Sequence, residues 1–318
     1  MRTIYSKGIL NIAASRASAS DKGMYATRDP RLIRPALIHG RDCFDLSDEL
    51  YLLVQPEFAE PGYSHPPLNE RGWVYQERIL SPRVIHFEEE QVLWECCTSA
   101  LCEMYPAGFD KTIDRGILVP PFELPKKQTC SGLAERWKRY TNLVEHYRAQ
   151  QFTFPNKDKL AAFAGIAQHI CHEFDDRYVA GLLRSQLPTA LLWQPPNRRQ
   201  IRQAYMGASS EEYRCPSWSW AKVDINRLDD GWSCGLYTFN PLKVSKPQVN
   251  ILSMEVTPVD PSNLFGSLKS AHLVLEGRLL PWTMISSTDK SMQWILFDGE
   301  KEAHTAKSEL FVVPFCAT

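Results

Sequence analysis

Apolar and polar positions follow three successive patterns along this chain: mixed at first, then with helical spacing, then with strand spacing. Residues 9–14, Ile-Leu-Asn-Ile-Ala-Ala, form a short apolar run closed by Ser15, Ser18, Ser20 and Gly23, which predicts a buried strand leading into a loop. Such a strand needs neighbours on both sides, and here they must come from later sequence or be missing. Between Tyr25 and Pro67 the chain reads as loop, because Pro30, Pro35, Pro56, Pro61 and Pro66 break any long element; residues 45–54 leave room for one short one. Asn69 is placed to cap a helix that runs to about Leu80, since Pro82 disfavours helical geometry at Ser81. The runs 83–87 and 91–96, joined by Glu88, Glu89 and Glu90, predict a β-hairpin.

Helical spacing takes over at Gly132. Leu133, Trp137, Tyr140, Val144 and Tyr147 recur every three or four residues, and a second helix from about Asp158 would bury Leu160, Phe163, Ile166, Ala167 and Ile170. Residues 177–187 read as a helical continuation before Leu191-Leu192-Trp193. From Pro216 to Ala221 the period becomes two, so Trp218 and Trp220 are expected on one face of a sheet. Strand-like runs follow at 249–256, 272–280, 292–297 and 309–315.

Composition narrows the class. Hydrophobic residues at 44% and charged residues at 23% fit a globular protein rather than a disordered one. The 36 basic and 37 acidic side chains leave a net charge of -1, so no global field draws the chain to nucleic acid or anionic lipid. Nine scattered cysteines read as reduced thiols, and the opening residues, interrupted by Ser6, Lys7, Gly8 and Asn11, make no signal peptide. Both point to the cytoplasm. Cys96, Cys97 and Cys102 lack a matching ligand pair, and His169, Cys171 and His172 cannot all face one way on a helix, so no metal is expected. There is no phosphate-binding glycine loop and no Gly-x-Ser-x-Gly elbow. Trp218 and Trp220 read as core rather than as a stacking platform, and Arg198, Arg199 and Arg202 as a solvated face.

The segment 71–80 carries the most chemistry. On a helix, Trp73, Val74, Glu77 and Leu80 share one stripe, which sets a carboxylate amid apolar side chains. Burial there disfavours the charged form and a neighbouring arginine restores it. The residues alone favour a structural ion pair, with a catalytic or ligand-binding carboxylate as the sharper alternative.

The run RGWVYQERILSPRVIHFEEEQVLWEC, from Arg71 to Cys96, resembles the third sequence block of fungal heterokaryon-incompatibility (HET) domains, of form R-G-W-T-x-Q-E-x-x-L-S-x-R-x-x-x-F and often ending W-E-C. Arg71, Gly72, Trp73, Gln76, Glu77, Leu80, Ser81 and Arg83 carry the match. Met1, Ile4 and Tyr5 with the 9–14 run resemble the end of the family's second block, M-x-x-I-Y-x-x-A, with Gly8 in place of alanine. Residues 160–166, 178–183, 191–193, 214–221, 265–266 and 273–279 are similar to regions that commonly follow the domain. The L-S-Y-x-W-G and W-x-D-x-x-C-I-N-Q blocks with which the family begins have no counterpart here, so a truncated domain is expected.

The resemblance implies a fold similar to Toll/interleukin-1-receptor (TIR) domains, a parallel sheet flanked by helices. Some TIR relatives hydrolyse NAD with the glutamate of a W-x-x-x-E helix, a spacing that Trp73 and Glu77 match. The expectation is therefore an α/β protein: a partial TIR-like parallel sheet over 1–105, a mainly helical region over 106–200 and a β-rich C-terminal region over 201–318. Its implied function is non-self recognition leading to programmed cell death. The implied partners are other HET-domain or incompatibility proteins, without nucleic acid or membrane. No cofactor is implied, and NAD enters only as a substrate of Glu77. The alternatives are a TIR-like NAD-cleaving enzyme and a non-catalytic module that binds intact HET proteins.

Overall fold

The computed structural model describes residues 1–29, 31, 33, 36–39, 50–53, 66–108, 132–193, 213–224, 249–277, 280–281 and 311–312. The chain divides into two compact units, residues 1–124 and 125–318. Helices and strands are mixed through both.

The first unit opens with helix α1 (Arg2–Lys7) and strand β1 (Asn11–Ala13). A pair of strands, β2 (Ala36–His39) and β3 (Leu50–Leu53), lies in the stretch expected to be mostly loop. The prolines fall outside both strands, so they limit element length without forbidding a short hairpin. A 3-10 turn over Pro67–Glu70 leads into α2 (Gly72–Leu80), whose cap is Arg71 rather than Asn69. At Ser81, before Pro82, the backbone turns extended with ψ 129°, as the proline requires. The expected hairpin forms as β4 (Arg83–Phe87) and β5 (Val92–Cys96), and β6 (Ala100–Cys102) adds a third antiparallel strand.

These strands make one four-stranded sheet in the order β1-β4-β5-β6. Only the β1–β4 pair is parallel, so the sheet is mixed: the parallel sheet that the resemblance implied is limited to that pair, and the hairpin read from the residues supplies an antiparallel neighbour. A tight acidic turn after β4 returns the chain at once, and such a turn can only make an antiparallel neighbour. Register separates the two faces. Ala13, His86, Leu93 and Cys102 lie in one row and are buried, whereas Ile12, Ile85, Trp94 and Leu101 lie in the next row on the opposite face and keep some exposure. Within the 9–14 run only Asn11–Ala13 is a strand, and not a buried one: Ala13 faces the core while Ile12, and Ile9 and Leu10 before the strand, are exposed.

In the second unit, α3 (Leu133–Arg148), α4 (Pro155–Ala161) and α5 (Ala164–Phe174) supply the core. All five apolar residues expected inside the second helical stretch are buried, although the stretch is broken at Ala162-Phe163. On α3 the buried stripe is Tyr140, Leu143, Val144 and Tyr147; Leu133 is exposed because the helix's first turns extend beyond the core. Asp175, left-handed at φ 52°, ends α5.

Residues 177–187 are not helical. They form a minimal hairpin, β7 (Tyr178–Val179) and β8 (Leu182–Leu183), with both loop residues at positive φ, Ala180 at 49° and Gly181 at 98°. A two-residue loop of that hand matches the natural twist of a hairpin. Residues 216–221 are likewise no strand: a turn leads into a 3-10 helix at Trp220–Lys222, so Trp218 and Trp220 share no sheet face. Trp220 is buried in the core and Trp218 is partly exposed.

The remaining strands are β9 (Val249–Pro258) and β10 (Leu268–Gly277), a long antiparallel hairpin, followed by the short pair β11 (Leu280–Pro281) and β12 (Phe311–Val312). The expected strand at 292–297 and the basic residues Arg198, Arg199 and Arg202 lie outside the described residues.

Candidate functional site

Helix α2 and the β4–β5 hairpin hold the motif residues. Gly72, Gln76 and Leu80 point into the unit, whereas Arg71 and Arg83 are exposed and Trp73 and Glu77 are partly exposed. The buried stripe of α2 is Tyr75, Gln76, Ile79 and Leu80, so only Leu80 of the expected Trp73–Val74–Glu77–Leu80 stripe belongs to it. The α2 helix is rotated about one residue position from that expectation, with Tyr75 and Ile79 buried and Trp73 and Val74 only partly so. The Ser81 hydroxyl donates to the Glu77 carbonyl at 2.7 Å and ties off the last turn.

Glu77 stands near solvent at the side of α2. The phenol of Tyr5, from α1, hydrogen-bonds its carboxylate. Burial, with that hydrogen bond and the negative charge behind it, pushes the Tyr5 hydroxyl up to about 12, so it stays a donor at neutral pH. A carboxylate in this position can accept from a bound polar group while Tyr5 holds it.

The buried carboxylate with an arginine does exist, on another residue. Glu95, whose side chain is 12% exposed, takes a two-pronged ion pair from Arg78 of α2: Nε donates to Oε2 at 2.7 Å and a terminal nitrogen donates to Oε1. His86 reaches the same carboxylate through Nε2 at 3.1 Å, and Ser15 lies 3.0 Å from His86 Nδ1. An ionised carboxylate only accepts, so Nε2 carries a proton and a neutral ring accepts at Nδ1 from the Ser15 hydroxyl. Burial pushes the Glu95 carboxyl up, but Arg78 and His86 outweigh it and hold the group well below the ordinary carboxylate range.

Serine, histidine and carboxylate in hydrogen-bonded sequence invite comparison with a nucleophilic triad. Ser15 has no exposed surface, however, and His86 is buried on the same face. No substrate carbonyl can reach the hydroxyl, and the chain of groups acts as a strut joining the turn after β1 to β4, β5 and α2. Its members were missed in the sequence, although Arg78 and the Trp94-Glu95-Cys96 end of the motif were in view. The available signal was register: with Glu95 two residues from Leu93 on a strand, both must face the same side.

No family model, no curated protein and no solved structure matches the chain.

A second reactive group lies at the end of β5. Cys96 is partly exposed, and its Sγ sits 3.3 Å from both Thr98 Oγ1 and Ser99 Oγ in the turn to β6. Burial raises this thiol, but the Ser99 and Thr98 hydroxyls outweigh it and bring the group down to about 6. Cys102, Cys171 and Cys215 differ in being buried, with Cys171 pushed up to about 12 and Cys215 to about 11 by burial. A brief iodoacetamide pulse at pH 7 followed by peptide mapping should therefore label Cys96 well before Cys102, Cys171 or Cys215. The labelling rate of Cys96 should rise through pH 6, where the thiolate forms. Thr98→Ala with Ser99→Ala should move that rise to higher pH; an unchanged profile would show that the hydroxyls are not its cause.

Among the described residues no group of three His, Cys, Asp or Glu side chains is placed to hold a metal ion, and no helix is long and apolar enough to cross a membrane.

Proposed function

We propose that this chain is a HET-domain protein of fungal non-self recognition, acting in the cytoplasm to trigger or regulate programmed cell death together with other incompatibility proteins. The observation that carries the proposal is the Arg71–Cys96 block. It folds as one α2–β4–β5 module, and its own polar residues Arg78, His86 and Glu95 bind it together. A motif whose parts converge in space is a stronger signature than a string of matching letters. Expression in a fungal host tests it. Growth arrest, or a changed incompatibility response, is expected from this chain; neither effect at verified protein levels would remove the proposal.

A second activity, NAD cleavage, is favoured by the placement of Glu77. Its partial exposure and its Tyr5 donor leave a carboxylate near solvent, where it can face the positive charge that develops on a ribose as the nicotinamide bond breaks. Glu77→Gln keeps the size and the hydrogen bonds of the side chain. It should leave melting within about 0.5 kcal/mol of the parent, as for other surface changes, and should abolish loss of NAD. Equal NAD loss by both proteins would take Glu77 out of the chemistry.

A further inference from the structure

We propose that Cys96 and Cys97 form a reversible redox pair: a hydroperoxide oxidises Cys96, and Cys97 then closes a disulfide onto it that loosens the turn from β5 to β6. The inference stands apart from the proposed function, since it uses neither Glu77 nor the family resemblance.

Cys96 is the last residue of β5 and Cys97 the next, so two thiols stand at the start of one turn, the first partly exposed and the second exposed. Donors converge on the Cys96 sulfur. The Thr98 and Ser99 hydroxyls each lie 3.3 Å away, and the Thr98 amide and the Trp94 indole also hydrogen-bond to it. A thiol has one proton to give, and an amide or indole N–H can only donate, so the sulfur must accept most of these bonds. Such surroundings favour the thiolate, which is the form that attacks peroxides. Cys102, Cys171 and Cys215 are buried instead. Thiols that sense oxidants combine three features: an anionic sulfur, access to solvent and a second cysteine beside it. Cys96 and Cys97 together have all three.

The hydroperoxide is the only oxidant needed. The Cys96 thiolate attacks one peroxide oxygen, the O–O bond breaks, and the departing hydroxide or alkoxide takes a proton from water; the sulfur, oxidised by two electrons, becomes a sulfenic acid. The Cys97 sulfur then attacks the Cys96 sulfur, the S–O bond breaks, and the hydroxyl leaves as water with the Cys97 proton. Neighbouring α-carbons stay about 3.8 Å apart across a trans peptide, short of the roughly 4.4 Å at which ordinary disulfides begin. The bridge is therefore strained and readily reduced by a small thiol, a switch rather than a staple. Closing it draws the Cys96 sulfur away from Thr98 and Ser99. It also twists the backbone at Cys96, whose N–H donates to the Ser99 carbonyl at 2.9 Å and closes the turn into β6.

The full chain, reduced and then freed of reductant, should be treated with hydrogen peroxide at pH 6, where Cys96, brought down to about 6, is substantially ionised and an ordinary thiol near about 8.5 is not. Tandem mass spectrometry should find a Cys96–Cys97 disulfide as the first product, and dithiothreitol should remove it. Hydrogen exchange at Ala100–Cys102 should quicken at least about threefold in the oxidised protein and return on reduction. In Cys97→Ser, dimedone should trap a sulfenic acid on Cys96. In Cys96→Ser, oxidation of Cys97 should slow about tenfold. Thr98→Ala with Ser99→Ala should slow Cys96 oxidation by a similar factor, and this arm keeps both sulfurs in place if a serine variant fails to fold. Equally fast oxidation of Cys97 without Cys96, an unchanged rate without the two hydroxyls, a bridge from Cys96 to any other cysteine, or unaltered exchange at Ala100–Cys102 would each overturn the proposal.

Discussion

Arg78→Met is expected to destabilise the first unit by about 2–4 kcal/mol, because it leaves Glu95 as a buried carboxylate whose main counter-charge is gone. The value is set below that of a fully buried pair because the Arg78 side chain keeps 31% of its surface exposed and is partly screened by solvent. Hydrogen exchange of β4 and β5 amides in the full chain is the suitable measure, since it reports the first unit separately from the second. Adding Glu95→Gln should restore most of the loss. Glutamine removes the stranded charge while its side-chain oxygen still accepts from His86. If the double variant is no more stable than Arg78→Met, the cost lies in lost packing of the arginine stem and not in the charge.

The same pair sets an acid dependence. Because the folded Glu95 carboxyl is held below its ordinary value near 4.5, its contribution is present above that pH. It is lost as pH falls through the lower folded value. The Arg78→Met protein lacks the arginine that depresses the carboxyl, so its exchange protection should change less between neutral pH and pH 3. A parent protein whose β4–β5 protection is flat across that range would rule out the ion pair as a net stabiliser.

Sequence patterning read the hairpin and the C-terminal end of α2 well, because these depend on local signals: Pro82 after Ser81, and Glu88, Glu89 and Glu90 between two apolar runs. It erred where tertiary packing decides. The stripe on α2 was read from Trp73, yet Tyr75 and Ile79 turned inward, and with that rotation the paired carboxylate became Glu95 instead of Glu77. Strand β1 was legible as a strand, but its burial was not, since exposure of Ile12 depends on which strands lie beside it. Residues 177–187 read as helix because Val179, Leu182 and Leu183 have helical spacing. Positive φ at Ala180 is a backbone state that alanine composition does not announce. Trp218 and Trp220 alternate as strand residues do, and the turn at Pro216 overrides that period.

Trp220→Ala is the substitution expected to cost the second unit most, about 3–5 kcal/mol, the range for removing a buried large aromatic. The indole is 2% exposed and stands edge-on to Tyr147 and Phe163, with ring centroids 6.0 and 5.8 Å away. Its Nε1 donates to the Gly181 carbonyl, which also accepts from the Tyr140 hydroxyl at 2.5 Å. Beside it the Ser219 hydroxyl donates to the Ala180 carbonyl at 2.5 Å. The β7–β8 loop is thus fastened to the helical core through its own backbone carbonyls, and this close approach requires glycine at 181. A Cβ there would come within 2.9 Å of both Ser219 Oγ and Trp220 Nε1, at a φ of 98° that side chains disfavour. Gly181→Ala should therefore weaken the unit through the same contact, and the two changes together should cost less than their sum because each releases the other's clash or cavity. Urea unfolding of the full chain, followed by tryptophan fluorescence and far-ultraviolet circular dichroism, measures all three proteins. Strictly additive losses, or a Trp220→Ala loss below about 1 kcal/mol, would mean that the loop and the aromatic core are not one structural lock.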